Sequence, residues 1–274
     1  NANKPLNIAD VTIPAEDGHA LRGFVAGETG PTIVLCNSLL GGIEAWREVI
    51  EDLAPFHRVI GWHYRGLNGD GPVVDVNRHA RDLLAIMDFW NLDRAMLMGW
   101  SLGSRVVMEV LAEQPERVSS AILTCPVVAR PLHRLAEPIV GPLASLAPAF
   151  GELAAEVAPY APKLWRLVGK GARSRSIHDV MRLFGIVAPS VESARLGEVL
   201  AETVKLPLDT LVSALTAVDA HVVARSFPDT DVPVLLIGGT ADPLCPKKDV
   251  LAAAAGASDA ETMIVPSATH LLPL

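Results

Sequence analysis

The sequence predicts an α/β fold in which a mostly parallel sheet carries helices on both faces. Short apolar runs rich in β-branched residues alternate with amphipathic helical patterns along most of the 274 residues. One run, residues 95–98, ends in Gly-Trp-Ser-Leu-Gly and is followed at once by apolar residues at helical spacing. Ser101 is therefore expected where a buried strand turns sharply into a helix. The glycines on either side of it leave room for a strained turn.

The remaining elements follow from the same two periodicities. An Asp17-Gly18 turn between two short strands indicates an N-terminal hairpin, and the later strands read as buried parallel strands. The predicted strands are 11–13, 21–25, 32–36, 58–62, 95–98, 120–124, 232–237 and 262–265, and the predicted helices are 43–54, 76–91, 103 to near Pro115, and 247–255.

Residues 127 to about 228 break this alternation. The span is rich in Ala and Leu, is dotted with Pro, and carries several helical patterns. It is too apolar to remain solvated as a linker. We therefore predict a core formed by residues 1–126 and 229–274, with a helical cap at residues 127–228 inserted into it.

The overall charge limits the classes of partner. A net charge of −8 and a pI near 5.5 argue against nucleic acid and against anionic membrane surfaces. The uncharged stretches contain Pro or Gly and are too short to span a bilayer, so no stable membrane insertion is expected. The three cysteines suggest no disulfide framework, and no secretory signal is visible at the N-terminus. These features predict a cytoplasmic protein.

Two loops at carboxyl ends of predicted strands carry residues that could act with Ser101, since ligands of parallel sheets bind at that edge. Asp242 follows one strand and could hold an imidazole in one tautomer, although an Asx-type turn before Pro243 is an alternative explanation. His270 follows the last strand. His63 also lies at such a loop, but the chain order Ser, Asp, His selects His270.

Stabilising a developing oxyanion requires two backbone N–H groups. We expect one from Leu102, directly after the serine, and the other from Leu39, in the loop after strand 32–36. The alternative is that Asn37-Ser38 only closes that loop.

Other polar clusters carry no comparable chemistry. His79 is expected to face water because it shares a helix with Arg78 and Arg81, and the basic cluster around Lys170 and Arg173 is expected to be a solvated surface. The sequence contains no His-Glu-x-x-His motif, no cluster of Cys and His, and no phosphate-binding loop signature. No metal and no cofactor are therefore expected.

These motifs together resemble the α/β-hydrolase superfamily from about residue 11 to His270, outside the cap. The matched set is Gly99-Trp100-Ser101-Leu102-Gly103, Asp242 after Gly-Gly-Thr-Ala, and His270. Asn37-Ser38-Leu39 with Trp46 is similar to the 3-oxoadipate enol-lactonases, and Gly-Trp-Ser-Leu-Gly is similar to the pimeloyl-carrier-protein methyl ester esterases. The resemblance implies an α/β-hydrolase fold and a nucleophile elbow at Ser101. A serine at that position disfavours haloalkane dehalogenases and epoxide hydrolases.

The function expected from this reading is hydrolysis of a carboxylic ester with a small to medium apolar acyl group by a Ser101-His270-Asp242 triad. Lactone or carbon–carbon bond hydrolysis and acyl transfer would use the same triad, and a ligand-binding protein that retains the fold is the alternative from another class. The substrate is expected to be a small-molecule apolar ester or lactone. The uncharged stretch 138–150 would roof Ser101 together with Trp100, or would only pack on the core.

Overall fold

The computed structural model describes residues 7–39, 41–67, 70–128, 130, 160–183, 186–221 and 230–274. Its strands are β1 (Ile8–Pro14), β2 (Ala20–Ala26), β3 (Thr32–Cys36), β4 (Arg58–Trp62), β5 (Ala95–Trp100), β6 (Val118–Thr124), β7 (Val234–Gly239) and β8 (Ala260–Val265). Its helices are α1 (Arg47–Leu53), α2 (Val76–Phe89), α3 (Leu102–Glu113), α4 (Ala161–Gly171), α5 (Arg175–Leu183), α6 (Ser193–Thr203), α7 (Leu208–Ala220) and α8 (Lys247–Ala254), with 3₁₀ turns at Gly42–Trp46 and Pro115–Arg117.

The eight strands form one sheet in the order β1-β2-β4-β3-β5-β6-β7-β8. β1 pairs with β2, and β2 with β4, in antiparallel register, and every pairing from β4 to β8 is parallel. Helices cover the sheet, and the strands next to its centre are accordingly buried along most of their length. The predicted fold class is confirmed. The loops at the carboxyl ends of the parallel strands meet at one edge of the sheet, where Ser101 lies.

Local chemistry sets several element boundaries. α2 begins where the Asp75 side chain accepts a hydrogen bond from the Arg78 amide at 2.8 Å, and it ends before Asn91, whose φ of 53° is left-handed. β7 begins at Val234, two residues later than predicted, because Pro233 has no N–H to donate to the ladder. The predicted helix 43–54 is divided into a 3₁₀ turn and α1.

The prediction for His79 is wrong. The side chain is 3% exposed, and its ring packs on Tyr64 with the centroids 4.4 Å apart. Its position, three residues after Val76 and four before Leu83, places it on the apolar face of α2. Arg78, by contrast, reaches sideways to an ion pair with Asp17 at 2.7 Å.

In the described part of the span between β6 and β7 there are four helices, α4 to α7. α6 is attached to the loop after β3 and to α1. The Thr203 hydroxyl accepts a hydrogen bond from the Gly41 amide of that loop at 3.1 Å, and Arg195 pairs with Glu48 of α1 at 3.0 Å. The division into core and cap stays a prediction, and the uncharged stretch 138–150 lies outside the described residues. Among the described helices, none is both long and apolar enough to cross a membrane.

Candidate active site

Ser101 lies on a strained turn between β5 and α3. Its φ of 55° and ψ of −111° place a non-glycine residue in a sparsely populated backbone conformation. The turn depends on the neighbouring glycines: a Cβ on Gly103 would lie 1.9 Å from the Cys36 carbonyl oxygen, and one on Gly99 would lie 2.6 Å from the Gly103 backbone. The Ser101 amide donates to the Thr124 carbonyl at 3.0 Å. The glycine spacing in the sequence is thus required by backbone contacts.

The structure brings Ser101, Asp242 and His270 together from three elements. His270 Nε2 lies 2.8 Å from Ser101 Oγ, and His270 Nδ1 lies 2.8 Å from Asp242 Oδ2. Because a carboxylate can only accept, a neutral His270 donates its Nδ1–H to Asp242 and leaves Nε2 free to accept the Ser101 hydroxyl proton. The three side chains therefore form a continuous chain of hydrogen bonds.

Asp242 is nearly fully buried, and its two oxygens have different partners. Oδ1 accepts hydrogen bonds from the amides of Leu244 and Cys245 at 2.8 and 2.9 Å, while Oδ2 faces His270. Burial alone would raise the pKa of Asp242, but the hydrogen bond and charge of His270 together with the two amide bonds lower it below its ordinary value. The Asx-type turn and the contact with histidine, which were alternatives in the sequence, thus coexist in the structure.

Trp100, which is predicted to line the substrate pocket, is fully buried among the described residues, and its pocket role stays a prediction. Its side chain has no exposed surface, and it packs edge-on against Trp46 with ring centroids 6.3 Å apart. Its indole N–H donates to the His270 carbonyl at 2.9 Å. Trp100 points into the core because a buried indole N–H needs an acceptor, and here the acceptor is the backbone of His270. This hydrogen bond therefore holds the backbone of His270 in place.

Two cavities in the described part of the chain adjoin the loop after β3, and Leu39 and Leu67 line both of them. One, of about 180 Å³, has a mixed lining: it includes Asn37, Ser38, His63, Glu44 and Glu202 together with apolar residues such as Ile43 and Leu206. Burial, together with the nearby Arg22, lowers the pKa of His63 below its ordinary value. Sequence reasoning missed Glu44 and Glu202. They lie in the 3₁₀ turn Gly42–Trp46 and in α6, and no local sequence pattern shows that these two elements are neighbours in the fold.

The second cavity is narrow and apolar. Its volume of about 10 Å³ leaves room for little more than one water molecule. Leu39 and Leu102, the two residues predicted to supply oxyanion N–H groups, both line it, together with Leu67 and, from α7, Ala214 and Val218. The loop after β3 and the start of α3 therefore meet at this cavity.

Cys125, at the end of β6, lies beside the histidine and the aspartate. One ligand atom from each of Cys125, Asp242 and His270 lies within 4.8 Å of the other two, a group of atoms that could hold a metal ion. Burial, followed by the negative charge of Asp242, raises the pKa of Cys125 well above its ordinary value, so the thiol is held in its protonated form. A metal ion there would have to displace that proton and compete with the Asp242–His270 hydrogen bond.

Comparison with known proteins places this geometry in context. A family model described as alpha/beta hydrolase fold matches residues 31–274. The chain is 32% identical over 109 residues to a putative carbamate hydrolase RutD of Azorhizobium caulinodans, a match covering 39% of this chain and 41% of that protein. It is 34% identical over 96 residues to a pimeloyl-[acyl-carrier protein] methyl ester esterase of Vibrio campbellii, covering 34% of this chain and 36% of that protein. These alignments span about two fifths of the relatives' length.

Solved structures match over nearly the whole chain. An enol-lactonase from Burkholderia xenovorans LB400 superimposes with a TM-score of 0.66 at 19% identity, over 95% of this chain and 93% of that one. An esterase from Exiguobacterium antarcticum superimposes with a TM-score of 0.73 at 16% identity, over 96% and 92%. Identities this low show a shared fold alone. The resemblance inferred from the elbow, acid and histidine motifs is confirmed at the level of the family.

Proposed function

The chain belongs to the α/β-hydrolase family, and from this premise we propose that it is a serine hydrolase that cleaves carboxylic esters with a small apolar acyl group. The observation that carries the proposal is the chain of hydrogen bonds Asp242–His270–Ser101, with 2.8 Å at each step. Hydrolase and esterase names among the relatives support the same reaction class.

In the proposed reaction, Ser101 Oγ attacks the ester carbonyl carbon while His270 Nε2 takes the hydroxyl proton. His270 then gives this proton to the departing alcohol, and the acyl group remains on Ser101. Water, deprotonated by the same nitrogen, attacks the acyl-enzyme and releases the acid and free Ser101. Asp242 remains ionised throughout and stabilises the imidazolium. Its lowered pKa supports that role.

The oxyanion is proposed to bind the amides of Leu102 and Leu39. Leu102 is the first residue of α3, and its N–H belongs to the helix end at which negative charge is favoured. Leu39 lines the same narrow cavity as Leu102. This shared cavity supports the pairing of the two amides. The Asn37 side chain has a different role in the loop, because its amide donates a hydrogen bond to the Trp62 carbonyl at 2.6 Å.

The apolar lining of the narrow cavity supports an apolar acyl group on the substrate, and binding of that group would have to widen the cavity beyond its volume of about 10 Å³. The cavity abuts Leu39 and Leu102 on one side and α7 on the other, so part of the predicted cap would close it. The leaving alcohol would extend into the larger cavity beside Ser38 and His63. Because polar side chains such as Ser38, His63 and Glu202 line only the larger cavity, we expect a preference for apolar acyl groups with tolerance for polar alcohols.

Lactones are a second candidate class. The larger cavity could receive the hydroxyl that ring opening releases, and an enol-lactonase is among the structural neighbours. The chemistry is the same, because a lactone is an internal ester. A comparison of kcat/KM for a simple lactone and for the open-chain ester of equal carbon number would decide between the two classes.

The decisive experiment is covalent labelling of the nucleophile. A fluorophosphonate should add once to the wild type, and peptide mapping should place the adduct on Ser101. Ser101→Ala should remain unlabelled and lose on the order of 10³-fold or more in turnover. Ser119→Ala, on the exposed side of β6, is the matched control and should label normally. An adduct on the Ser101→Ala protein, or undiminished turnover by it, would refute the proposal.

A further inference from the structure

Helix α4 presents an apolar face to solvent. Tyr160 at its N-cap, Leu164, Leu167 and Val168 are 59%, 52%, 63% and 39% exposed, respectively. At 3.6 residues per turn they form one continuous strip, here called the α4 apolar face. Solvent-exposed apolar residues are ordinary when scattered singly, but four on one short helix are not.

The opposite side of α4 explains how the helix is held. The Trp165 indole N–H donates to the Leu206 carbonyl at 2.9 Å, and Gly169 lies close to Val204, where an added Cβ would be 3.2 Å from a methyl group. The helix is therefore anchored through its inward face, and the apolar face points outward as a consequence of that anchoring.

Basic residues flank the apolar face along one side. Lys163, Arg166 and Lys170 follow at helical spacing, and all three are exposed; they are called the basic edge here. No ion pair found among the described residues involves any of the three. Lys163 Nζ lies 5.9 Å from the Tyr160 ring centroid, and Arg166 Nε donates to the Pro162 carbonyl at 3.3 Å, so neither cation is neutralised by a carboxylate among the described residues. An apolar strip bordered by such cations is the arrangement of helices that lie in the headgroup layer of an anionic bilayer.

The net charge of residues 160–183, which include α4, is opposite in sign to that of the whole chain. Residues 160–183 contain six Lys or Arg and one Asp, which gives +5, whereas the entire chain carries −8. The acidic remainder would be repelled by an anionic surface, so the molecule would approach with α4 first. The six basic residues are Lys163, Arg166, Lys170, Arg173, Arg175 and Arg182.

We propose that α4 docks this protein onto anionic phospholipid surfaces, with the α4 apolar face among the acyl chains and the basic edge on the phosphates. A second copy of the chain is a poorer occupant, because a symmetric contact through this face would bring the two +5 regions together. A nucleic acid would use the cations but not the leucines. Docking would bring the proposed hydrolase to apolar esters dissolved in a bilayer.

Vesicle sedimentation tests the proposal without turnover. The wild type should sediment with vesicles of equimolar phosphatidylcholine and phosphatidylglycerol, sediment far less with phosphatidylcholine alone, and dissociate as salt is raised. Lys163→Gln with Lys170→Gln should weaken binding by about fivefold per residue. Leu164→Ser with Leu167→Ser should weaken it by at least about tenfold, through lost apolar burial.

Matched controls separate docking from folding and from catalysis. Phe56→Ser, at a residue 70% exposed between α1 and β4, and Lys247→Gln with Lys248→Gln on α8 should leave vesicle binding unchanged. The lysine, leucine and phenylalanine variants should all retain turnover of a soluble p-nitrophenyl ester. Ser101→Ala should bind vesicles like the wild type, so failure of the proposed function and failure of docking are distinguishable.

Three results would overturn the proposal. The first is no sedimentation of the wild type with the anionic vesicles. The second is sedimentation that the double leucine variant leaves unchanged. The third is self-association of the wild type, measured by light scattering, that the same variant abolishes, which would assign the face to a second copy of the chain.

Discussion

Replacing the buried His79 should make the protein less sensitive to acid. Burial, reinforced by the nearby Arg65, lowers the pKa of His79 from 6.5 to about 3. In the unfolded chain the His79 ring regains its ordinary pKa. Below pH 6.5 His79 therefore binds a proton in the unfolded state, whereas in the folded state it stays neutral down to about pH 3. The destabilisation is absent above pH 6.5 and grows as the pH falls toward about 3.

The size of the effect follows from these two pKa values. At about pH 5 the unfolded state gains roughly 2 kcal/mol from protonating this one residue. His79→Phe removes the proton site while retaining a ring against Tyr64, whose centroid lies 4.4 Å away. Nδ1 of His79 has no hydrogen-bond partner among the described residues, so a phenyl ring forfeits no bond at that atom.

The assay is urea unfolding, monitored by tryptophan fluorescence at constant ionic strength. Between about pH 8 and about pH 5, the wild type should lose roughly 2 kcal/mol more free energy of unfolding than His79→Phe. Contributions from other titrating groups cancel in this difference, because they are common to both proteins. His57→Phe, at a less buried position, controls for the loss of a histidine. Parallel losses in the wild type and His79→Phe would refute the reasoning.

Three further predictions concern the candidate site. Asp242→Asn should fold but lose about 10⁴-fold in kcat, because an amide favours the wrong imidazole tautomer; near-normal turnover would show that another carboxylate serves. Gly103→Ala should disrupt the serine turn, since its Cβ would meet the Cys36 carbonyl at 1.9 Å. We expect lost turnover and lower thermal stability, whereas Gly18→Ala, where the added Cβ has no neighbour within 4 Å, should keep its turnover. Val218→Ala, at a residue that lines the narrow cavity and not the larger one, should enlarge the narrow cavity and raise kcat/KM for butyrate relative to acetate by about fourfold per added methylene accommodated; an unchanged ratio would place the acyl group elsewhere.

Much of the fold was predictable from the sequence, because strands and helices are encoded locally. The period of two or of 3.6 residues depends on neighbours within a few positions, and β3 and β4 accordingly match their predicted bounds. The serine turn was predictable for the same reason, since Gly99 and Gly103 are required within two residues of Ser101. Chain order then pointed to Asp242 and His270 as the partners, whose roles remain predictions.

Only the tertiary structure decided which residues distant in sequence are in contact. The indole of Trp100 points inward to the His270 carbonyl, 170 residues away, and the His79 ring packs at a tilt against Tyr64. No local pattern specifies such partners, because burial depends on which faces pack together once the strands have been ordered in the sheet. The sequence thus determined the elements and the positions of the chemical groups, and packing determined which groups are buried, which are paired and which line a cavity.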